Sequence, residues 1–588
     1  MHGEWMTGCG HREHAWAGER QIDGMPGVAV ARGCRVEVLA GWRARVALVG
    51  DVCLSDDDRP VLVEAAAAGR WSDLTRCPGS YWVIAENSRN RFVCGDLSGL
   101  RSIFYAEQGG HTLWSTSARG LAERRRAPLN LALTAAHFTV GAEHWLDRTL
   151  YDGVFAVPGG FGLLLREERP QLIDVRGISP DLTLSEGADA FGQALHTAVH
   201  QRMSSVEGLA SADVSGGLDS TALAITASAV GEVRAVTYAD AYTSAEDLFF
   251  ARRAAVHMGV KLHVGRGGVE QLPFSWTSSQ PIPDQPAAAS LTMAQRHLYL
   301  EPAANLGGIH FTGDGGDVVL DSCSAVWVGM VQSGERRAAH REVTNWARAR
   351  NRSPRDLWRA VTRAAGSGYG GALEEAARQM ESGGVEGKRP GVWSWCHVGQ
   401  SSGWLTAAGR DQVAALLRES AKVATSLRAD LTEQQSSLRL VGADVRNTAP
   451  LAAAWGVRPV HPYLDNEVVR AAFAIAPAER HGVTAFKPLL GVALPQLPSW
   501  LTSRTSKGSF SRQLIAGMVH HRARLAHLFR DSVLTTSGLL DPEPAITALA
   551  GVGGVRSDAL YDLQRLAMVC QWLAANGRHD GQLLEVAC

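Results

Sequence analysis

Six consecutive residues, Ser215, Gly216, Gly217, Leu218, Asp219 and Ser220, carry the chain from a short strand-like run, ASADV, into the helical run LDSTALAITASAV. A strand that turns at once into a helix is the connection of an open parallel sheet, whose ligands bind beyond the carboxyl ends of the strands. Two glycines permit a tight turn with exposed backbone N–H groups, and the following helix adds the partial positive charge of its first turn. The loop can therefore cradle an anion, with serine hydroxyls as further donors. Asp219 cannot attract a phosphate directly. A carboxylate beside phosphates implies a bridging Mg2+, a hard cation that prefers oxygen ligands. The alternative is a glycine-rich turn with no ligand, which five fixed positions behind an apolar strand disfavour.

The neighbouring sequence supplies the sheet. ADAFGQALHTAVHQRM has helical periodicity, VRAVTYAD reads as a second buried strand, AEDLFFARRAAVHMG as a second helix and KLHVGRG as a third strand. This alternation predicts a parallel α/β domain. From about residue 30 to 170, short β-branched runs such as ARVALVGDV, GSYWVIAE, RFVCGD and FGLLL are punctuated by Gly, Pro, Asn and Asp, predicting a β-rich domain made mostly of strands. The charged, Pro- and Gly-containing stretch between them sets the expected domains at 1–180 and 181–588. Residues from about 325 to 445 are rich in Arg, Ala, Glu and Trp with helical periodicity, and are expected to form a helical elaboration at the mouth of the sheet.

Composition narrows the function classes. At 588 residues the chain is several times the usual domain length, so two or more cores are expected. A formal net charge of -1 lacks the basic footprint of a phosphate-backbone binder, so nucleic acid is not expected as a partner. The nine cysteines include no CxxC pair and suit a reducing compartment. Neither a signal peptide nor a run of about 18 apolar residues is present, and the cytoplasm is the expected location.

SGGLDS is the spelling of an ATP-pyrophosphatase loop, distinct from the Walker loop because it lacks the GK[ST] ending. A second acidic glycine motif, Thr312, Gly313, Asp314, Gly315, Gly316 and Asp317, follows the apolar His-Phe of GGIHFTGDGGD. Together the two motifs resemble those of the asparagine-synthetase type of enzyme, a group that includes β-lactam synthetases and lasso-peptide macrolactam cyclases. Further segments extend the resemblance through the second half: Ser244, Glu246 and Asp247 in YTSAEDLFFARRAA, the substrate-side loop around Asp284 in PIPDQPAAAS, and Arg458, Pro462, Leu464 and Asp465 in GVRPVHPYLD.

The resemblance implies a C-terminal PP-loop ATP-pyrophosphatase domain of the adenine nucleotide α-hydrolase-like fold. It implies nucleotide contacts from Val214, Ser215, Gly216, Gly217, Leu218, Asp219, Ser220, Tyr238 and Gly313, with ATP and Mg2+ as cofactors and the metal on Asp219 and Asp317. Lys487, in AFKPLLGVALPQLP, and Lys507, in SRTSKGSF, resemble the family's two site lysines. A fixed cation there would stabilise the tetrahedral oxyanion and the departing AMP. Taken alone, either lysine reads as a solvated surface charge.

The first half resembles the family's glutamine-amidotransferase domain, an Ntn-hydrolase-like fold, in CGDLSGLRSIFY and in the turn from Val157 to Gly160. The glutaminase requires a cysteine directly after Met, where its own α-amine serves as base. Here that residue is His2, and where the family has Asn-Gly-Glu this chain has Val49, Gly50 and Asp51. An inactive domain is expected. Cys9, His11 and His14 suggest a metal cluster only weakly, being three potential ligands on a short start, and no metal is assigned to them.

Without a glutaminase, the amine must come with the substrate. Acidic Asp314, where β-lactam synthetases have a tyrosine, resembles the cyclases more. The implied reaction is adenylation of an Asp or Glu side chain of a precursor (core) peptide, then attack by the peptide's N-terminal amine to close a macrolactam. Asp314 is expected to help deprotonate that amine, and Lys507 to stabilise the transition state. A leader peptidase and a leader-recognition protein are implied partners. Trp393, Trp395 and Trp404 would wall a peptide site or simply pack helices. The competing readings are a β-lactam-type or other small-molecule amide synthetase and an inactive peptide-binding partner. A tRNA-modifying PP-loop enzyme is disfavoured by the neutral charge.

Overall fold

In a computed structural model of the protein, the described residues are 6–9, 20–166, 169–204, 209–275, 281–304, 306, 309–383, 393–425, 427–482, 486–505, 508–554 and 559–585. The first half is built on two facing antiparallel sheets of six strands each. The longest antiparallel pairing of one sheet joins nine residues of each strand, from Ala44 opposite Asn87 to Val52 opposite Gly79. Both faces of these strands are buried. Val28, Val30, Ala47, Val49, Trp82, Ile84 and Trp114 fill the space between the sheets, while Val46, Leu48 and Val83 meet helix Asp58–Ala68 through Leu62 and Ala66. On the far side of the other sheet, Phe104 and Leu113 pack with Leu121 and Phe138 of helices Ala118–Arg125 and Leu131–Thr139.

The layer order is thus helix, sheet, sheet, helix. The three helices are elements that the sequence expectation of a half made mostly of strands did not name. They are 11, 8 and 9 residues long, too short to show a sustained helical period, and the first carries Pro60, Val61 and Val63.

The second half carries a five-stranded sheet in the spatial order Leu262–Arg266, Val233–Ala239, Ala210–Asp213, Ile309–Phe311, Arg458–Val460. Every pairing is parallel. Chain order runs outward in one direction from Ala210–Asp213 and then resumes on its other side with Ile309–Phe311. The topological switch point, where open parallel sheets bind ligands, therefore lies between the carboxyl ends of these two strands. Leu195, Val199, Leu223, Phe311, Tyr463 and Val469 form the core around the sheet. Helices Ala325–Gln332, Arg336–Ala349, Pro354–Ser382, Ala407–Val423 and Ala429–Ala454 make up the helical region.

The halves are fastened together by backbone as much as by side chains. Gly442, on helix Ala429–Ala454, comes so close to the first half that an added Cβ would lie 2.1 Å from the Ser98 carbonyl oxygen. Beside it Arg439 Nε donates to Gly159 O (2.9 Å), Arg446 to Gly99 O (2.6 Å), and Leu97 N to Asn466 Oδ1 (2.9 Å). The C-terminal helix Leu560–Glu585 joins the same core as Phe138 and Trp145 through Trp572 and Leu573.

No helix among the described residues is long and apolar enough to cross a membrane. The eight cysteines among them are all free.

Candidate functional site

Both glycine motifs leave the carboxyl ends of the two switch-point strands and dock on each other. Gly216 has φ +81, and a Cβ there would lie 2.2 Å from the Asp247 carbonyl, so only glycine fits the turn. Gly217 is the N-cap of helix Leu218–Ser228, and no side chain caps it. The first turn of that helix turns its partial positive charge toward the loop, where it favours an anion. Ser215 Oγ and Ser220 Oγ bond each other at 2.9 Å, closing the loop on itself. Opposite, a Cβ on Gly313 would meet Ser220 N at 2.7 Å, and one on Gly316 would meet the Asp219 side chain at 2.7 Å. The glycines of the second motif thus serve close approach of two backbones.

Lys487 fills the cleft between the motifs. It is 2% exposed, adopts φ +54 just before helix Pro488–Ala493, and bonds both oxygens of Asp219 and, at 2.5 Å, Asp317. Burial pulls its ammonium pKa down, but Asp219 and Asp317 outweigh burial and hold it above the ordinary lysine value. The arrangement joins two sequence-predicted metal ligands and one predicted catalytic lysine in a single ionic cluster. Among the described residues no group of three metal-ligating side chains exists. Two carboxylates, one of them 66% exposed at Asp317, nevertheless suit Mg2+, which completes its shell with phosphate and water oxygens.

Asp314 stands apart from this cluster. Its Oδ2 accepts from Thr312 Oγ1 (2.8 Å) and lies 3.2 Å from His461 Nδ1, itself 2.7 Å from Thr312 Oγ1. Burial would raise its pKa, but the hydrogen bond and charge of His461 outweigh that and hold the carboxyl well below the usual carboxylate range. The carboxylate from which the deprotonation was expected is thus engaged by Thr312 and His461. Tyr238, from the next strand, donates to Asp240 at 3.1 Å; burial, then the Asp240 charge, pushes its phenol up. Val214 extends its strand by a bond to Val236 O. Lys507 lies outside the described residues. On either side of it, Arg504 bonds the Gly216 carbonyl and Asp247, and Gly508 N donates to Asp247 at 3.3 Å.

Arg504 and His461 are site residues that the sequence reading missed. Both sit inside segments already singled out for neighbouring residues, GVRPVHPYLD and SRTSKGSF, and only the fold shows that they reach the two loops. Asp284, expected on a substrate-side loop, instead accepts from Ser117 Oγ (2.9 Å) and Arg119 N (3.0 Å) at the start of helix Ala118–Arg125. Trp395 and Trp404 are 6% and 4% exposed in packed cores. Trp393 stacks edge-on to Trp395 at 4.8 Å and donates to Glu433. Glu433 lines a cavity of about 110 Å3 shared with Asp317, Asp321 and Asp430. Cys9 is buried in strand Met6–Cys9, while His2, His11 and His14 lie outside the described residues.

The sequence profile of the family described as "Asparagine synthase" matches residues 190–574, which include both loops, Lys487 and Arg504. The chain belongs to the asparagine synthase family. The family's members are ATP-dependent amide-forming ligases, and ATP is their substrate. No curated protein matches the chain. Two solved structures are similar over less than half of it. One is a glutamine phosphoribosylpyrophosphate amidotransferase from B. subtilis complexed with ADP and GMP (11% identity, 45% of this chain, 60% of that chain, TM-score 0.18). The other bears the description "structure of the allosteric regulatory enzyme of purine biosynthesis" (12% identity, 46% of this chain, 76% of that chain, TM-score 0.19). The chain spans 60% of the length of the first of these, and neither says anything of its activity.

Proposed function

We propose that the protein is a lasso-peptide-type cyclase: it adenylates an Asp or Glu side chain of a precursor peptide and joins it to the peptide's N-terminal amine. The observation that carries the adenylation is the docking of the two glycine motifs at the switch point, with Asp219 and Asp317 facing each other across Lys487. Ser215–Ser220 and the uncapped helix start would bind the phosphates, and Gly313 would lie beside them. Asp219 and Asp317 would hold Mg2+, which when bound neutralises charge on the leaving pyrophosphate. Lys487 adds a second cation to that group, and Arg504 fixes the loop by bonding the Gly216 carbonyl. Lys507 would stabilise the oxyanion of the amide-forming step.

That the amine comes with the substrate is supported by Asp51, which stands in the segment resembling the family's glutamine-recognition residues. Its carboxylate is paired with Arg458 from the synthetase half. Burial raises its pKa, and Arg202, Arg458 and Arg101 more than offset that, so it remains a carboxylate already satisfied by arginines. The helix–sheet–sheet–helix layering supports an Ntn-hydrolase-like ancestry for this half. We propose that it no longer supplies ammonia. An intramolecular amine then gains the effective molarity of a positioned reaction. A leader peptidase and a leader-recognition protein are the partners this role entails, in the cytoplasm.

The test is ATP–pyrophosphate exchange with synthetic peptides that carry a free N-terminus and one Asp or Glu at successive positions. Exchange with at least one peptide, and a ring product lacking one water, is the expected result. Exchange only with small β-amino acids would replace the peptide reading by the small-molecule one, and no exchange with either would leave a binding protein.

A further inference from the structure

We infer that His461, oriented by Asp314 and Thr312, is the general base that takes the proton from the attacking amine. The inference rests on the amide-forming reading of the site. His461 follows strand Arg458–Val460, whose neighbour Ile309–Phe311 runs directly into Thr312 and Asp314. The Thr312 backbone N–H donates to Val460 O at 3.1 Å, which locks the two strand ends together beneath the three side chains.

Proton accounting fixes the tautomer. Asp314 is an acceptor only, and Thr312 has a single hydroxyl proton, which goes to Asp314 Oδ2 at 2.8 Å. Thr312 Oγ1 can then meet His461 Nδ1 at 2.7 Å only by accepting, so Nδ1 carries the ring proton. Nε2 is left with its lone pair. Among the described residues it has no hydrogen-bond partner, and the side chain keeps 9% of its surface open. A carboxylate that fixes Nδ1–H and leaves Nε2 free to accept a proton is the arrangement a catalytic imidazole requires.

The groups facing this pair come from three further elements. Arg296 and Tyr299 project from helix Met293–Ala304, Asp444 from helix Ala429–Ala454, and Asp213, bonded to His310 at 3.0 Å, from the strand end. Asp213, Asp314 and Asp444 oppose the single guanidinium of Arg296.

In the step, the lone pair of the neutral amine forms the C–N bond to the acyl carbon. The N–H proton passes to His461 Nε2, and the C–O bond to AMP breaks with its electron pair staying on the phosphate oxygen. The imidazolium then returns the proton to water. Asp314 is a positioning residue in this scheme, acting through His461.

The experiment measures ATP–pyrophosphate exchange and ring closure side by side, using the peptide panel described above, for the wild type, His461→Gln and His461→Ala. A general base contributes about 100-fold or more. Ring closure by His461→Gln should therefore fall about 100-fold, with a loss of exchange at least ten times smaller and an unchanged Tm. Added imidazole should restore closure by His461→Ala without changing its exchange rate. Wild-type closure by His461→Gln, or equal losses of exchange and closure without imidazole rescue, would overturn the proposal. Absence of exchange in the wild type would instead overturn the ligase reading, and this proposal with it.

Discussion

At the residue scale, the site is a set of positions where one atom decides whether the loops form. Gly216→Ala places a Cβ against the Asp247 carbonyl and imposes a left-handed conformation costing about 1–2 kcal/mol before any clash. Exchange activity should fall more than tenfold while the far-UV spectrum stays native; full activity would contradict the loop's role. Lys487→Met removes the ammonium that bonds both Asp219 and Asp317. Loss of a buried partner costs about 3–5 kcal/mol, and Mg2+ should recover part of it, read as a Tm that rises with Mg2+ far more in the variant than in the wild type. Asp314 gives a pH signature. Its folded pKa is depressed, so its contribution is present above the ordinary carboxylate value, about 4, and fades only as pH falls through the lowered one. Asp314→Asn should cost about 1 kcal/mol at pH 7, given its partial exposure, and the Tm gap to the wild type should close below about pH 4.

At the scale of elements, the phosphate loop and its sheet were legible because strand, turn and helix follow one another without interruption. Val214, Ser215–Ser220 and the strand Val233–Ala239 lie in one continuous βαβ stretch, so periodicity alone orders them. The short helices of the first half were not legible, and neither was the three-residue strand Arg458–Val460, whose partner is about 150 residues away. For the same reason His461 and Arg504 escaped notice: each acts through a contact made by tertiary packing rather than by a spaced motif. Asp284 shows the converse, a residue with a motif-like setting whose carboxylate serves helix Ala118–Arg125. Arg504→Gln should separate loop anchoring from chemistry. It removes the bonds to Gly216 O and Asp247, so the KM for ATP should rise about tenfold with a smaller change in kcat. An unchanged KM would show that the loop stands without it.

At the scale of the whole molecule, the first half is bound to the synthetase half by close backbone packing, with exposed charge playing a lesser part. Gly442→Leu would drive a side chain into the Ser98 carbonyl and should abolish soluble expression or lower Tm steeply. Arg458→Ala removes a half-exposed ion pair with Asp51 and should cost no more than about 1 kcal/mol. Calorimetry of the two variants would order these contributions; the opposite order would mean that charge, not packing, holds the halves together. A core shared by Phe138, Trp145 and Trp572 also predicts a single unfolding transition.

The central claim is that this fold uses ATP to activate a carboxylate as its adenylate. The most direct measurement uses a peptide whose Asp or Glu side chain carries 18O, and follows the label into the nucleotide product. The account predicts AMP and pyrophosphate in equal amounts, with one 18O in the AMP phosphate. ADP with labelled inorganic phosphate, or AMP without label, would contradict it.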